Sequence, residues 1–360
     1  MGGNYAIIRK SPGLAFGLLG KIETKSAVLA GLPAENGGLP GRYGMKVSVL
    51  GCGRWGSFIA WYLNKMGHQV CVWGREGSAN LEQFQEKIRQ GQEGFSGMEA
   101  THDLAHALAF GELLAISISA QQLRNLLSRS EFAGLKQPVV LCMKGLEEHT
   151  GKRLSEIAAD YLPLEQIAVW LGPGHMQDFL AGIPNCMVID SYNPQLKQEV
   201  VAALKGGLIR FYYGDDMIGN EVGAAAKNVI GIAAGMMDGL HCGSLKGALM
   251  SRGAREISRL IGAMGGNELS AYGLAHLGDY EATVFSQYSR NRMFGEKFVR
   301  GERMDALAEG VSTAAALMVL KEKYQVDLPI CTAVHTAIEG CIPPEELMSR
   351  LFLRSLKKEF

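Results

Sequence analysis

The chain has no surplus of charge: 36 Lys and Arg balance 36 Asp and Glu over 360 residues. That excludes a global electrostatic pull toward nucleic acid or an anionic membrane and leaves only local basic pockets. It also lacks an uninterrupted apolar run of the roughly 18 residues needed to span a bilayer, so a soluble protein is expected. Cysteine pairs are missing too. The seven cysteines (Cys52, Cys71, Cys142, Cys186, Cys242, Cys331 and Cys341) form no C-x-x-C motif. Scattered single thiols in apolar settings point to buried side chains in a reducing cytoplasm rather than a disulfide framework. His-Glu-x-x-His is absent among the eight histidines. His102 and His106, four apart on an expected helix, read as a surface pair without a third ligand, and no metal site is expected. Repeats and low-complexity tracts are absent as well.

The chain is rich in glycine, 46 residues, and 47% hydrophobic, enough for a sizeable core and for backbone to approach ligands closely. A length of 360 residues favours two domains over one. Residues 1–44 are punctuated by glycine and show no clear period. They fit neither a secretory signal nor a transit peptide, so they are expected to be a loosely ordered extension, or the product of an upstream start codon, ahead of a working protein that starts near Met45. Met45–Leu50 then reads as a strand, with a helix to about Met66 and a second strand at Gln69–Trp73. Further strands are expected at Leu113–Ser117, Pro138–Cys142, Ile167–Leu171, Cys186–Ile189 and Ile209–Tyr213. Helical stretches alternate with them, which argues for a parallel, doubly wound α/β sheet. After about residue 218 only helices are expected: Glu221–Asp238, Leu245–Met264, Leu269–Leu274, Asp305–Tyr324 and Pro344–Lys358. The expected division is an α/β half over 45–218 and an all-helical half over 219–360.

The strongest local signal is Gly51-x-Gly53-x-x-Gly56, between the first strand and the first helix. Gly51 suits the tight turn, Gly53 lets backbone meet a pyrophosphate, and Gly56 lets helix pack on sheet. The helix N-terminus offers amide donors to the phosphates, as in a Rossmann dinucleotide site. The second strand ends Val72-Trp73-Gly74-Arg75, followed by Glu76. An arginine there favours the 2′-phosphate of NADP, while Glu76 keeps the ribose of NAD open; a solvated Arg75 is the plain alternative.

Two lysines stand in unusual company. Lys144 follows the apolar run Val139–Met143, at the carboxyl end of a parallel strand, where open α/β sheets bind ligands. On a helix, Lys227 shares its face with Gly223, Ala224, Gly231 and Ala234. Such small neighbours leave room for a cofactor or a second helix. Desolvation there would lower the amine pKa toward the range of a general acid or base. A lysine snorkelling from a packed helix is the competing reading. A third group comprises Gly278-Asp279, Thr283, Ser286 and Ser289-Arg290-Asn291-Arg292. The planar fork of Arg290 suits a phosphate monoester, although Ser-Arg-Asn alone reads equally well as a solvated loop.

Taken in order, these pieces resemble the NAD(P)-dependent glycerol-3-phosphate dehydrogenase family of bacteria, over about Met45 to Glu359. The likeness rests on the glycine turn with Trp55, Lys144-Gly145, Gly172-Pro173, Ala226-Lys227-Asn228, Ala233-Ala234-Gly235 and Arg252-Gly253. It continues through Leu277-Gly278-Asp279, Ser289-Arg290-Asn291, Glu309-Gly310, Thr313-Ala314 and the terminal Arg354…Glu359. It implies Lys227 as the proton donor and acceptor, with Lys144 and Asp279 beside it in catalysis. Cofactor contacts would come from Gly51, Gly53, Arg54, Trp55, Gly56, Arg75, Lys144, Met176, Arg290 and Glu309. Substrate contacts would come from Lys144, Gly172, Gly174, Lys227, Asp279, Ser289, Arg290 and Asn291. The resemblance further implies NADP or NAD as cofactor, dihydroxyacetone phosphate as substrate, glycerol 3-phosphate made for phospholipid synthesis, and a homodimer.

The chain also departs from the family. Where the family usually has Gly-Pro-Ser-Phe-Ala-x-Glu, it reads Gly172-Pro-Gly174-His-Met-Gln-Asp178, so any contact there must come from backbone or from His175. Ile118-Ser119-Ala120-Gln121 replaces the usual Val-Pro-Ser-Gln, and the stretch between Asn291 and Glu309 is several residues shorter. These changes keep two rivals in play: a related reductase of a hydroxy acid or ketopantoate, and a non-catalytic NAD(P)-binding sensor.

Overall fold

The computed structural model describes residues 44–304 and 308–355. Residues 1–43 of the extension expected over 1–44, and the expected helical residues Asp305 and Lys358 with Glu359, lie outside them. The α/β part runs β1 (Lys46–Leu50), α1 (Arg54–Lys65), β2 (Gln69–Trp73), α2 (Ala79–Arg89), β3 (Glu99–Thr101), α3 (Leu104–Phe110) and β4 (Leu113–Ile116). It continues through α4 (Leu123–Leu127), β5 (Val139–Leu141), α5 (Leu154–Ala159), β6 (Ile167–Leu171), α6 (Met176–Leu180), β7 (Asn185–Asp190), α7 (Pro194–Leu204) and β8 (Ile209–Tyr213). Among the described residues only helices follow: α8 (Met217–Gly239), α9 (Lys246–Ala263), α10 (Arg290–Val299), α11 (Glu309–Tyr324), α12 (Pro329–Ile338) and α13 (Pro344–Phe352).

The eight strands form one sheet in the order β3-β2-β1-β4-β5-β6-β7-β8. Its central strands are buried on both faces, β1 with Val47 and Val49, β4 and β5 throughout. This is the continuous apolar reading that parallel strands under two helical layers require. The sheet is doubly wound, as the alternation predicts, with two corrections. β7 runs antiparallel to β6, pairing Val169 with Asp190, because the intervening residues 172–184 fold into a loop and α6 beside α1 instead of crossing the sheet. The edge strand β3 was not legible: three residues, Glu99-Ala-Thr101, are too few to show an alternation. His102 also lies before α3 and not on it, since Asp103 caps that helix by accepting the His106 N–H at 3.1 Å.

In the helical part, α8 is buried nearly all round, as a central helix must be. Near its C-terminal end the small residues make room for another helix. A Cβ on Gly235 would collide with the Arg292 carbonyl of α10, and one on Gly295 with the Ile232 carbonyl of α8, so the two backbones touch. The expected 269–274 helix is a 3₁₀ turn, Glu268–Tyr272, and α13 stops at Phe352. α12 went unforeseen, and so did α10, which occupies the stretch that Ser-Arg-Asn left open as a loop. Of the seven cysteines, all free, Cys52, Cys71, Cys142 and Cys331 are buried while Cys341 is exposed. A buried ion pair, Arg153 to Glu221 at 2.7 Å, ties the segment before α5 to α8. No described helix is long and apolar enough to cross a membrane.

Candidate active site

A cleft of about 730 Å³ opens at the carboxyl ends of the strands, between the sheet and the helices from α8 onward. One wall is the glycine turn. Gly51 has φ +119°, and a Cβ there would strike the Ser117 carbonyl at the end of β4, so only glycine closes this turn between β1 and α1. Gly53 differs: its φ is −67°, and a Cβ there would meet nothing within 4 Å. That open space lies before the N-terminus of α1, whose first turn holds no acid, and it fits the pyrophosphate of a dinucleotide. Gly56 packs against the Gly51 carbonyl and sits behind the cleft wall. Further along, Trp73, Gly74, Arg75, Ser78 and Asn80 face Gln122, Asn125, Leu126 and Arg129, the place for an adenosine; Glu76 is outside this lining. The Arg129 guanidinium lies 6.0 Å from the Trp73 ring centre.

The opposite wall carries the charge chemistry. Asp279, 1% exposed, accepts from two ammonium groups on the same oxygen: Lys144 Nζ at 2.6 Å and Lys227 Nζ at 2.8 Å. Lys144 also donates to the Gly172 carbonyl at 2.7 Å, and Lys227 to Thr283 Oγ1 at 2.8 Å. The Thr283 hydroxyl in turn donates a hydrogen bond to the Asp279 backbone carbonyl at 2.8 Å. Lys227 is 8% exposed, and burial pushes its pKa down to about 8; Asp279 acts against that shift and Lys144 adds to it. The snorkelling reading is thereby set aside: the amine points into the cleft wall and not to bulk water.

At the cleft mouth, Ser289 caps α10 by accepting the Arg292 N–H, so Arg290 and Asn291 start a helix with their side chains at the cleft. Arg54 and Arg290 lie close enough that Arg290, after burial, lowers the Arg54 pKa. Two guanidinium groups drawn together in this way make a place for an anion. Asn291 Oδ1 accepts the Gly310 N–H at 3.0 Å, which fixes the start of α11. There Glu309 faces Ser119 and Ala120 across the cleft; burial raises its pKa, and bonds from those two residues oppose the rise. Met176 and Gly174 line the same space, with the Phe179 ring 2.7 Å from where a Gly174 Cβ would stand. Of the residues the family likeness assigned to the site, Gly56 and Gly172 are absent from the lining and support it from behind; Glu76, Gly278, Ser286 and Arg292, singled out from their motifs, are absent from it too. Sequence reading missed Ser78, Asn80, Gln122, Asn125, Arg129, Gln177 and Tyr288, ordinary polar residues; Ser78, Asn80, Gln122 and Gln177 at least follow a strand within a few residues, whereas the others carried no local signal.

A mostly parallel sheet whose strand ends face a dinucleotide turn, closed by a helical part that brings a buried lysine–aspartate–lysine group, defines a two-part nucleotide-dependent dehydrogenase architecture. Residues 46–197 match the NAD-dependent glycerol-3-phosphate dehydrogenase N-terminus, and residues 216–349 match the C-terminus of the same family. The glycerol-3-phosphate dehydrogenase [NAD(P)+] of Rhodospirillum rubrum is 33% identical over 327 residues, 87% of this chain and 93% of that one. A solved glycerol-3-phosphate dehydrogenase from Coxiella burnetii superposes with a TM-score of 0.77 at 27% identity, covering 87% of this chain and 100% of the other. The Dunaliella salina structure shares the fold at TM-score 0.75 and 17% identity, over 85% of this chain and 60% of its own. The chain belongs to the NAD-dependent glycerol-3-phosphate dehydrogenase family.

Proposed function

We propose that the chain reduces dihydroxyacetone phosphate to sn-glycerol 3-phosphate with NADPH or NADH, and catalyses the reverse oxidation. The observation that carries this reading is the buried Lys227–Asp279–Lys144 group in the same cleft as the glycine turn. Gly51, Gly53 and the α1 N-terminus would receive the pyrophosphate, Arg75 the adenosine end, and Arg54, Trp55, Met176 and Glu309 the remainder. The nicotinamide, when bound, supplies the hydride chemistry.

Lys227 performs the proton chemistry. With a pKa near 8 it is part ammonium and part amine around neutrality, so it can protonate an oxygen that becomes alkoxide and recover its proton from solvent. Asp279 does not exchange that proton; it holds the ammonium in place and keeps its pKa from falling further. Lys144 adds a second positive charge where negative charge develops on the substrate oxygen. Arg290, with Ser289 and Asn291, receives the substrate phosphate at the cleft mouth. A phosphate on the substrate is what separates this reading from a ketopantoate or hydroxy-acid reductase.

Family likeness supports the finer assignments: a boundary between the dinucleotide and helical domains near residue 218, a cytoplasmic homodimer, and a product used for phospholipid synthesis. The test follows nicotinamide absorbance with dihydroxyacetone phosphate and, separately, with ketopantoate. Turnover of the phosphorylated ketone is expected. Faster turnover of ketopantoate would move the chain to the rival reductases, and cofactor binding without turnover of either would make it a sensor.

A further inference from the structure

His276 is a fully buried imidazole that takes no part in lining the cleft, yet it lies three residues before Asp279. Its Nδ1 is 2.7 Å from the Gly223 carbonyl, and its Nε2 is 2.7 Å from the Tyr280 hydroxyl. A carbonyl only accepts, so the imidazole proton is on Nδ1. Nε2 is then bare, and Tyr280 donates to it. Both ring nitrogens are satisfied in one tautomer.

The position of Gly223 makes this more than packing. Within α8, the backbone N–H of Lys227 is directed at the carbonyl four residues earlier, that of Gly223. One oxygen therefore serves both the catalytic lysine's backbone and the His276 ring. On the other side, the backbone N–H of Asp279 donates to the His276 carbonyl at 3.0 Å. Closeness is required as well: a Cβ on Gly223 would come within 2.8 Å of the His276 Cβ. Beside the Lys227 ammonium itself, His276 thus joins the α8 turn bearing Lys227 to the turn bearing Asp279, and does so at the α8 backbone.

We infer that His276 is a positioning residue for the Lys227–Asp279 pair, fastening the 276–283 segment to the α8 backbone at Gly223. This rests on the proton-transfer role of Lys227 proposed above. Burial, the largest influence, pushes the His276 pKa down to about 4; the Gly223 bond and Asp279 oppose this and Lys227 adds to it. The ring is therefore neutral across the working range and places no third cation beside Lys227 and Lys144. The other titratable groups facing the His276–Tyr280 contact are Glu256, Cys331 and Tyr272, all of which act on the Tyr280 hydroxyl, itself pushed well up by burial.

Asn and Gln substitutions separate positioning from bulk. The Asn amide nitrogen stands two bonds from Cβ, like Nδ1, whereas the Gln amide nitrogen stands three bonds away, like Nε2. His276→Asn should keep kcat within about threefold of the parent, while His276→Gln should lower kcat by about 10- to 100-fold with the substrate KM little changed. In His276→Gln the Lys227 limb of the pH–rate profile should move up, because a loosened pair admits water and relieves burial. Equal kcat in the two variants, or an unmoved limb in His276→Gln, overturns the inference. Should neither variant fold, ¹⁵N-histidine NMR of the unaltered protein decides: a neutral Nδ1–H tautomer down to about pH 5 is expected, and an Nε2–H tautomer or titration near the ordinary histidine value refutes it. Failure of the unaltered protein to turn over dihydroxyacetone phosphate would instead sink the functional reading, with the NMR result still deciding the role of His276.

Discussion

Asp279→Asn puts the electrostatic account under the greatest load. Its carboxylate lies 2.8 Å from Lys227 Nζ, and at an effective dielectric of about 20 that attraction is on the order of 6 kcal/mol before relaxation. An amide keeps the shape and a hydrogen bond but not the charge, and it leaves Lys144 and Lys227 as neighbouring cations. Even if relaxation leaves only ~1.4 kcal/mol, the Lys227 pKa falls by about one unit. At pH 7.5 the ammonium fraction then drops from about three quarters to about one quarter. Reduction of the ketone needs the ammonium, so its rate falls as pH rises through the pKa, and the Asn variant should move that limb to lower pH. Oxidation of the alcohol needs the free amine, so its rising limb should move the same way and gain relative activity near neutrality. The assay is a pH–rate profile in both directions, with folding checked by circular dichroism, because breaking a buried pair costs about 3–5 kcal/mol of stability. A folded variant whose limbs stay near pH 8 in both directions would refute the electrostatic coupling.

The glycine turn yields a paired test. Gly53→Ala should fold with an unchanged melting temperature, since its φ is ordinary and its Cβ meets open space, yet weaken cofactor binding at least tenfold, read by nicotinamide fluorescence. Gly51→Ala should instead destabilise the fold itself through its φ of +119° and the Ser117 carbonyl. Arg290→Ala should raise the Michaelis constant for dihydroxyacetone phosphate by more than tenfold, since a charge-assisted bidentate contact is worth roughly 1.5–3 kcal/mol. A change in kcat alone would remove Arg290 from ground-state phosphate binding.

Most of what the sequence made legible was periodic or punctuated. Seven of eight strands, the glycine turn and the long apolar α8 announce themselves through apolar runs and glycine spacing, and Lys227 through the tiny residues around it. What stayed hidden depended on tertiary geometry. No local rule distinguishes a helix starting at Arg290 from a loop until Ser289 is seen to cap it. The reversal of β7 follows from where the 172–184 connection lies. Asp279 was singled out from sequence, but not that its one carboxylate oxygen serves two lysines 83 residues apart (227 − 144), a convergence only the folded chain displays. His276 passed unnoticed because a lone histidine between leucine and alanine carries no pattern; its significance lies in the Gly223 carbonyl it meets.

The most direct measurement is turnover of dihydroxyacetone phosphate by Lys227→Ala beside the unaltered chain, with cofactor affinity determined on the same samples. A buried amine that delivers the proton predicts a fall in kcat of at least about 10³-fold with cofactor affinity within a factor of about three. A variant that binds cofactor normally and turns over within tenfold of the parent would contradict it.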